Sequence, residues 1–211
     1  VGKDVAVTPG QVVFRNHLIE LICYTPKTAT VHPEPLLIVP SCIMKYYILD
    51  LSPKNSMVRY LLEQGHSVFI VSWRNPTAED SKLTIADYLS SGVLAAMEAV
   101  QSRSGAQRIH AMGYCLGGTF LSIVAATLGR LARQKKRERS KLEKALIPAQ
   151  LPELASVLLL AAQTDFTEPG ELGVFIDEDQ LATLRQRMQR KGYMSGRDMG
   201  SSFQFLSSRE Q

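Results

Sequence analysis

Hydrophobic residues along the 211-residue chain fall into short, separated blocks. Residues 12–14 and 18–24 are rich in β-branched and aromatic side chains and read as strands, punctuated by Thr8-Pro9-Gly10 and Thr25-Pro26-Lys27. Residues 36–39 are a four-residue aliphatic run stopped by Pro40, the pattern of a strand buried on both faces. Residues 57–63 predict a helix that closes at Gln64-Gly65, and 68–72 a second buried strand. Residues 80–102 read as one helix, with Leu89, Val93, Ala96 and Val100 recurring on a single face. A strand at 108–112 follows, then a helix with its apolar stripe at Leu121, Val124, Ala125 and Leu128, then a further buried strand at 156–161.

Strands alternate with helices four times in this pattern. The expectation is an α/β fold with βαβ units and a mostly parallel sheet. Chemistry in such sheets gathers beyond the carboxyl ends of the strands, where Cys115 and the loop over 40–47 fall. After Thr164 the chain becomes turn-rich. A helix over 177–191 then carries acidic residues at its start and Arg190-Lys191 at its end, and Gly192 stops it. This divides the chain into a core, residues 1–164, and the beginning of a cap, residues 165–211.

The hydrophobic share of 45% supports a sizeable core and argues against disorder. No apolar run approaches the ~18–20 residues of a membrane helix, and no charged start leads into an apolar signal region. Three cysteines (23, 42 and 115) do not make a disulfide framework, and no His/Cys cluster has zinc spacing. The expected setting is therefore the cytoplasm, with no metal. The net charge of +4 is mild, and much of it lies in the run over 130–144, which reads as a solvated extension of a helix. This speaks against nucleic acid as a partner. Val1 in place of Met points to a piece of a longer product.

Candidate chemistry centres on Gly113-Tyr114-Cys115-Leu116-Gly117-Gly118, between a strand and an apolar helical run. That is the context of a nucleophile elbow, with Cys in the place where the G-x-S-x-G form has Ser. Gly113 and Gly117 leave the turn uncrowded, so the residue between them can take a strained backbone. Free N–H groups at a helix start lower the pKa of a nearby thiol, and the N–H of Leu116 is placed to bind a developing oxyanion. The bland alternative is a Gly-rich strand-to-helix turn around a Cys that packs as a small hydrophobe.

Four blocks carry a family resemblance: YYILDLSPKNS (46–56), VSWRNP (71–76), GYCLGGT (113–119) and EPGELGVFID (168–177). Together they resemble polyhydroxyalkanoate synthases, above all the class I enzymes that polymerise short-chain 3-hydroxyacyl-CoA. The resemblance implies an α/β-hydrolase fold truncated before its last strands, plus the start of a cap domain that takes part in dimer contacts and substrate access. It implies Cys115 as nucleophile, with 3-hydroxyacyl-CoA as substrate rather than cofactor and no other cofactor. A second oxyanion donor would come from the loop near Ile43. The implied partners are the growing polyester chain or granule surface and, in the full-length protein, a second copy in a homodimer.

Three features depart from the family pattern. All four histidines (17, 32, 66 and 110) precede Cys115, and the later aspartates (165, 177, 179 and 198) fall in the cap segment, so the expected downstream Asp and His are lacking. Ser41-Cys42-Ile43-Met44 replaces a stretch that the family fills with Pro, Trp and Asn. The basic run after Arg130 is longer than usual. The isolated stretch is accordingly expected to be inactive.

The alternatives are a Cys-dependent esterase or thioesterase of the same fold and a non-catalytic truncated relative acting as partner subunit. Other residues have bland readings. Trp73 and Arg74 shape the pocket floor or pack helix on sheet. Tyr46 and Tyr47 line an acyl channel or cover the sheet edge. Asp50 and Asp87 read as cap or surface carboxylates, and Cys42 as a packing residue. His110 reads as a strand residue in packing, not a base for Cys115.

Overall fold

The structure is a computed structural model that describes residues 2–134, 140–168, 177–196 and 198. The chain divides into two compact units, Val1–Arg74 with Ile85–Gln163, and Asn75–Thr84 with Thr164–Gln211. Most of the block over 168–177, the middle of the basic run and the end of the expected cap lie outside the described residues.

The first unit is built on a six-stranded sheet. Its strands are β1 (Gly10–Arg15), β2 (Ile19–Tyr24), β3 (Leu36–Val39), β6 (Val68–Trp73), β7 (Arg108–Tyr114) and β8 (Glu153–Leu160), in the order β1-β2-β6-β3-β7-β8. The hairpin β1–β2 joins antiparallel to β6, and β6, β3, β7 and β8 run parallel. A small hairpin of β4 (Asp50–Ser52) and β5 (Asn55–Ser56) leads into α1 (Met57–Glu63). Ser56 caps α1 by accepting the Arg59 N–H at 2.9 Å. Leu37, Ile38, Val39, Ile70 and Val71 have no exposed surface, because aliphatic strands in the middle of a parallel sheet are covered on both faces. Val58 and Leu62 of α1 close one face, and Val93, Ala96, Met97 and Val100 join the core from the helical run before β7.

Four expectations need correction. The helix over 80–102 starts later: a 3-10 turn at Ala78–Asp80 precedes it, and helical structure begins at α2 (Ile85–Asp87). It then widens to a π-helix over Tyr88–Leu94 before α3 (Ala95–Ser104). Asp80 does not belong to this helix. Its carboxylate accepts the Thr77 N–H at 2.7 Å and caps the 3-10 turn. The basic run is not one extended helix either. α4 (Leu116–Arg133) ends at Gln134 in extended backbone, and Ser140 opens α5 (Lys141–Leu146) with a capping box to Glu143. The strand near 156–161 forms as β8, but it is not buried: Leu158 is 52% exposed at the sheet edge.

The fourth correction is Asp50, which is wholly buried rather than a surface carboxylate. Its Oδ1 accepts the hydroxyls of Thr8 and Ser56, both at 2.6 Å, and its Oδ2 accepts the Thr8 N–H at 3.1 Å. A buried carboxylate persists where hydrogen bonds fill its lone pairs.

In the second unit the main element is α6 (Glu178–Lys191), with acidic residues at its start and Arg190 and Lys191 at its end. Gly192, at φ +79°, stops it, and Lys191 Nζ donates to Asp198 Oδ2 at 2.7 Å.

Candidate active site

β7 delivers the chain to a sharp turn at Cys115, whose φ of 54° and ψ of −126° lie outside the regions that L-residues favour. Such a conformation costs of order 1–3 kcal/mol and persists only where its surroundings over-determine it. Here they do. The Cys115 N–H donates to Leu160 O at 3.0 Å, and the Cys115 carbonyl accepts from Gly118 N at 2.9 Å and Thr119 N at 3.2 Å. These last two bonds start α4, so the thiol-bearing residue is also the cap of an 18-residue helix. Leu116 is the first residue of that helix, where a backbone N–H has no intrahelical acceptor.

The glycines of the motif serve close approach, not unusual dihedrals. A Cβ on Gly117 would lie 2.1 Å from Val39 O and 2.4 Å from Pro40 O. A Cβ on Gly113 would lie 2.4 Å from the Gly118 Cα, and one on Gly118 would lie 2.5 Å from the Ala162 Cβ. Only hydrogen side chains let α4 start directly against the end of β3. Tyr114, Cys115 and Leu116 are half-buried, while Gly117 to Phe120 are buried.

The loop after β3 lies against this turn. Ser41 is fully buried, its carbonyl accepts the Met44 N–H at 3.2 Å, and its hydroxyl oxygen accepts the Ile43 N–H at 3.4 Å. Trp73 holds the start of the loop, with its indole N–H donating to Pro40 O at 2.8 Å. The indole forms an aromatic cluster with Tyr88 and Phe120, at ring separations of 5.5–6.0 Å. Gly92 in the π-helix makes room for it, since a Cβ there would lie 2.5 Å from the ring. Cys42 is half-buried on the same loop. Burial pushes its thiol up to about 11, with its own backbone N–H opposing and the charge of Cys115 adding to the rise.

The histidines are engaged elsewhere. His110 is the third residue of β7, in the half of the strand away from Cys115, and its Nδ1 lies 2.8 Å from Ser156 Oγ. His66 packs against His32 with ring centroids 4.8 Å apart and ring planes tilted by 47°. His17 contacts Arg74, whose Nε donates to the His17 carbonyl at 2.6 Å. Among the described residues, no three His, Cys, Asp or Glu side chains converge as a metal site.

The sequence matches two family models: the N-terminus of poly-beta-hydroxybutyrate polymerase (PhaC) over residues 1–61, and the alpha/beta hydrolase fold over residues 35–135. It is 41% identical over 212 residues to the poly(3-hydroxyalkanoate) polymerase subunit PhaC of Cupriavidus necator, covering 98% of this chain and 33% of that protein. It is 38% identical over 210 residues to the subunit of the same name from Rhizobium etli, covering 100% of this chain and 30% of that protein. The chain belongs to the poly(3-hydroxyalkanoate) polymerase family. It spans about a third of the length of these relatives. Esterase B of Lactobacillus rhamnosus resembles the structure with a TM-score of 0.52 at 17% identity, covering 87% of this chain and 56% of that one. That likeness shows the α/β-hydrolase fold.

In this polymerase-family chain the elbow residues Gly113 to Gly118 converge, and the 40–44 loop lies against them at Gly117. Sequence reasoning did not foresee the Trp73–Pro40 hydrogen bond or the cluster with Tyr88 and Phe120. The signal available was a single Trp at the carboxyl end of a buried strand.

Proposed function

We propose that Cys115 is the acyl-accepting nucleophile of a polyester synthase. The Cys115 sulfur attacks the carbonyl carbon of a 3-hydroxyacyl-CoA thioester, the carbon–sulfur bond to CoA breaks, and CoA leaves as its thiol, which takes up the proton. The acyl group is then a thioester on Cys115. The hydroxyl of one 3-hydroxyacyl unit attacks the thioester of another, so an ester bond forms and a thiol is released. Repetition of this step extends the chain. The N–H of Leu116 is assigned to the oxyanion that develops at each attack, joined by the Ile43 N–H once it leaves the Ser41 hydroxyl.

The observation that carries the reading is the forced backbone of Cys115 at the head of α4, on a family background of poly(3-hydroxyalkanoate) polymerases. Each thiol or hydroxyl that attacks must give up its proton, so turnover needs a base. The four histidines of this stretch have other contacts (Ser156, one another and Arg74), and we assign the base to a residue outside these 211 residues. By itself the stretch is expected not to turn over.

The full protein is proposed to act in the cytoplasm, as a homodimer at the surface of polyester granules. Among the described residues no helix is long and apolar enough to cross a membrane. The test uses full-length protein containing this stretch with 3-hydroxybutyryl-CoA. CoA release with polymer formation, both lost in Cys115→Ala, is the expected result. Free hydroxy acid as the product would replace the synthase with a thioesterase. Wild-type activity in Cys115→Ala would end the nucleophile assignment, and no activity in either protein would leave a non-catalytic partner subunit.

A further inference from the structure

Trp73 is the last residue of β6, at the carboxyl end where the chemistry of a parallel sheet gathers. Three neighbours enclose its indole ring. Tyr88 and Phe120 lie at ring separations of 5.5 and 6.0 Å, and a Cβ on Gly92 would lie 2.5 Å from the ring. Gly92 belongs to the π-helix over Tyr88–Leu94, and such widened turns are frequent at functional sites. A phenylalanine ring would also serve this packing. What it would lack is the indole N–H, which donates to Pro40 O at 2.8 Å.

The accepting carbonyl sits at the base of the loop over 40–44. Pro40 directly follows β3, and its carbonyl also abuts the start of α4, since a Cβ on Gly117 would lie 2.4 Å from it. The peptide between Pro40 and Ser41 is thus held by both the indole and the helix that carries the nucleophile. Ser41 comes next and is fully buried, and Ile43 follows two residues on. The Ile43 N–H donates to the Ser41 hydroxyl at 3.4 Å, longer than the ~2.7–3.2 Å of a good hydrogen bond. That donor costs little to release, provided the base of the loop keeps its place.

We propose that Trp73 is a positioning residue for acyl transfer: through Pro40 it fixes the loop over 40–44 against α4, so that the Ile43 N–H meets the oxyanion beside the N–H of Leu116. An indole has a single donor, and here it is spent on Pro40, so Trp73 acts through the loop. The inference rests on the synthase reading for the identity of the substrate, whereas attack on any ester or thioester develops the same oxyanion. Losing an oxyanion donor outright lowers kcat by about 10²–10³. Loosening the support of one donor is expected to lower it about 10- to 100-fold.

The test uses the full-length protein and its Trp73→Phe variant, with 3-hydroxybutyryl-CoA and p-nitrophenyl butyrate as substrates. In the variant kcat should fall about 10- to 100-fold on both, with KM within about twofold. Alkylation of Cys115 by iodoacetamide displaces iodide from a saturated carbon and forms no oxyanion, so its rate should stay within about twofold. A second variant carries 3-benzothienylalanine at position 73, which keeps the bicyclic ring with sulfur in place of the N–H. It should show the same split even where Trp73→Phe lowers the melting temperature. Unchanged kcat in either variant overturns the proposal. So does a rise in KM alone, which would put the indole in substrate binding. Equal losses of acyl transfer and alkylation overturn it too, because Trp73 would then support Cys115 itself. Wild-type protein that cleaves the nitrophenyl ester and not the CoA thioester ends the synthase reading, and the split on the ester still decides the role of Trp73. Wild-type protein that cleaves neither overturns both.

Discussion

β3 and β8 are aliphatic runs in the same parallel sheet, separated only by β7. All four residues of β3 are buried, and Leu37, Ile38 and Val39 expose nothing. Val157, Leu158 and Leu159 of β8 are 38%, 52% and 38% exposed. β3 has β6 and β7 as hydrogen-bonded neighbours, and α4 presses on its carboxyl end through Gly117. Among the described residues β8 pairs only with β7. A run of aliphatic residues thus reports the burial for which a strand is suited, whereas its neighbours decide the burial it receives. Cover for both faces of β8 is something the described residues do not supply.

The largest effect is expected where β3 meets the elbow. Gly117→Ala puts a methyl group 2.1 Å from the Val39 carbonyl, a backbone atom that cannot swing aside. Overpacking of this kind costs 1–3 kcal/mol and more where nothing can yield, so a loss above about 3 kcal/mol is expected. Urea unfolding would measure it, and a near-neutral result would show that α4 starts further from β3. Next comes the direct comparison of the two strands. Leu37→Ala should cost about 2–5 kcal/mol, as buried Leu truncations do. Leu158→Ala should stay within about 0.5–1 kcal/mol because much of that side chain is already in water. Equal losses at the two positions would break the contrast.

The same distinction separates what was legible in the sequence from what was not. Local signals were legible. The strands of the main sheet announced themselves by composition, α1 by its closing Gln64-Gly65, and the elbow by glycines around Cys115. What escaped depends on residues far apart in the chain. Asp50 reads as a surface carboxylate until Thr8, 42 residues earlier, and Ser56 turn their hydroxyls onto it. The π-helix over Tyr88–Leu94 fits around the indole of Trp73, which no local periodicity encodes. Exposure of β8 is likewise a matter of neighbours. The break in the basic run, by contrast, was readable, because Ser140-Lys141-Leu142-Glu143 is a capping box in the sequence itself.

A smaller effect concerns association rather than stability. Exposed aliphatic residues on an edge strand invite pairing with another chain. Leu158→Lys puts a charge into that strand while changing stability by no more than about 0.5 kcal/mol. Self-association of the 211-residue chain at high concentration, followed by sedimentation velocity, should fall markedly. Unchanged association would move the sticky surface elsewhere and weaken the view of β8 as an uncovered strand.

The smallest effect probes the covered side of the sheet through pH. His66 lies just before β6, packed on His32, and its Nδ1 is buried with no hydrogen-bond partner among the described residues. Burial first, then the charges of His32 and His110, hold its pKa below the ordinary value of 6.5. A histidine whose folded pKa is depressed binds its proton more readily when unfolded. Its contribution is therefore fully present above pH 6.5 and declines as pH falls through that value towards the lower pKa of the folded state. The melting temperature should fall modestly from pH 7.5 to pH 5.5, and His66→Gln should flatten that slope. A slope equally steep in the variant would assign the acid sensitivity to other groups and leave the amino end of β6 no better shielded than the edge at β8.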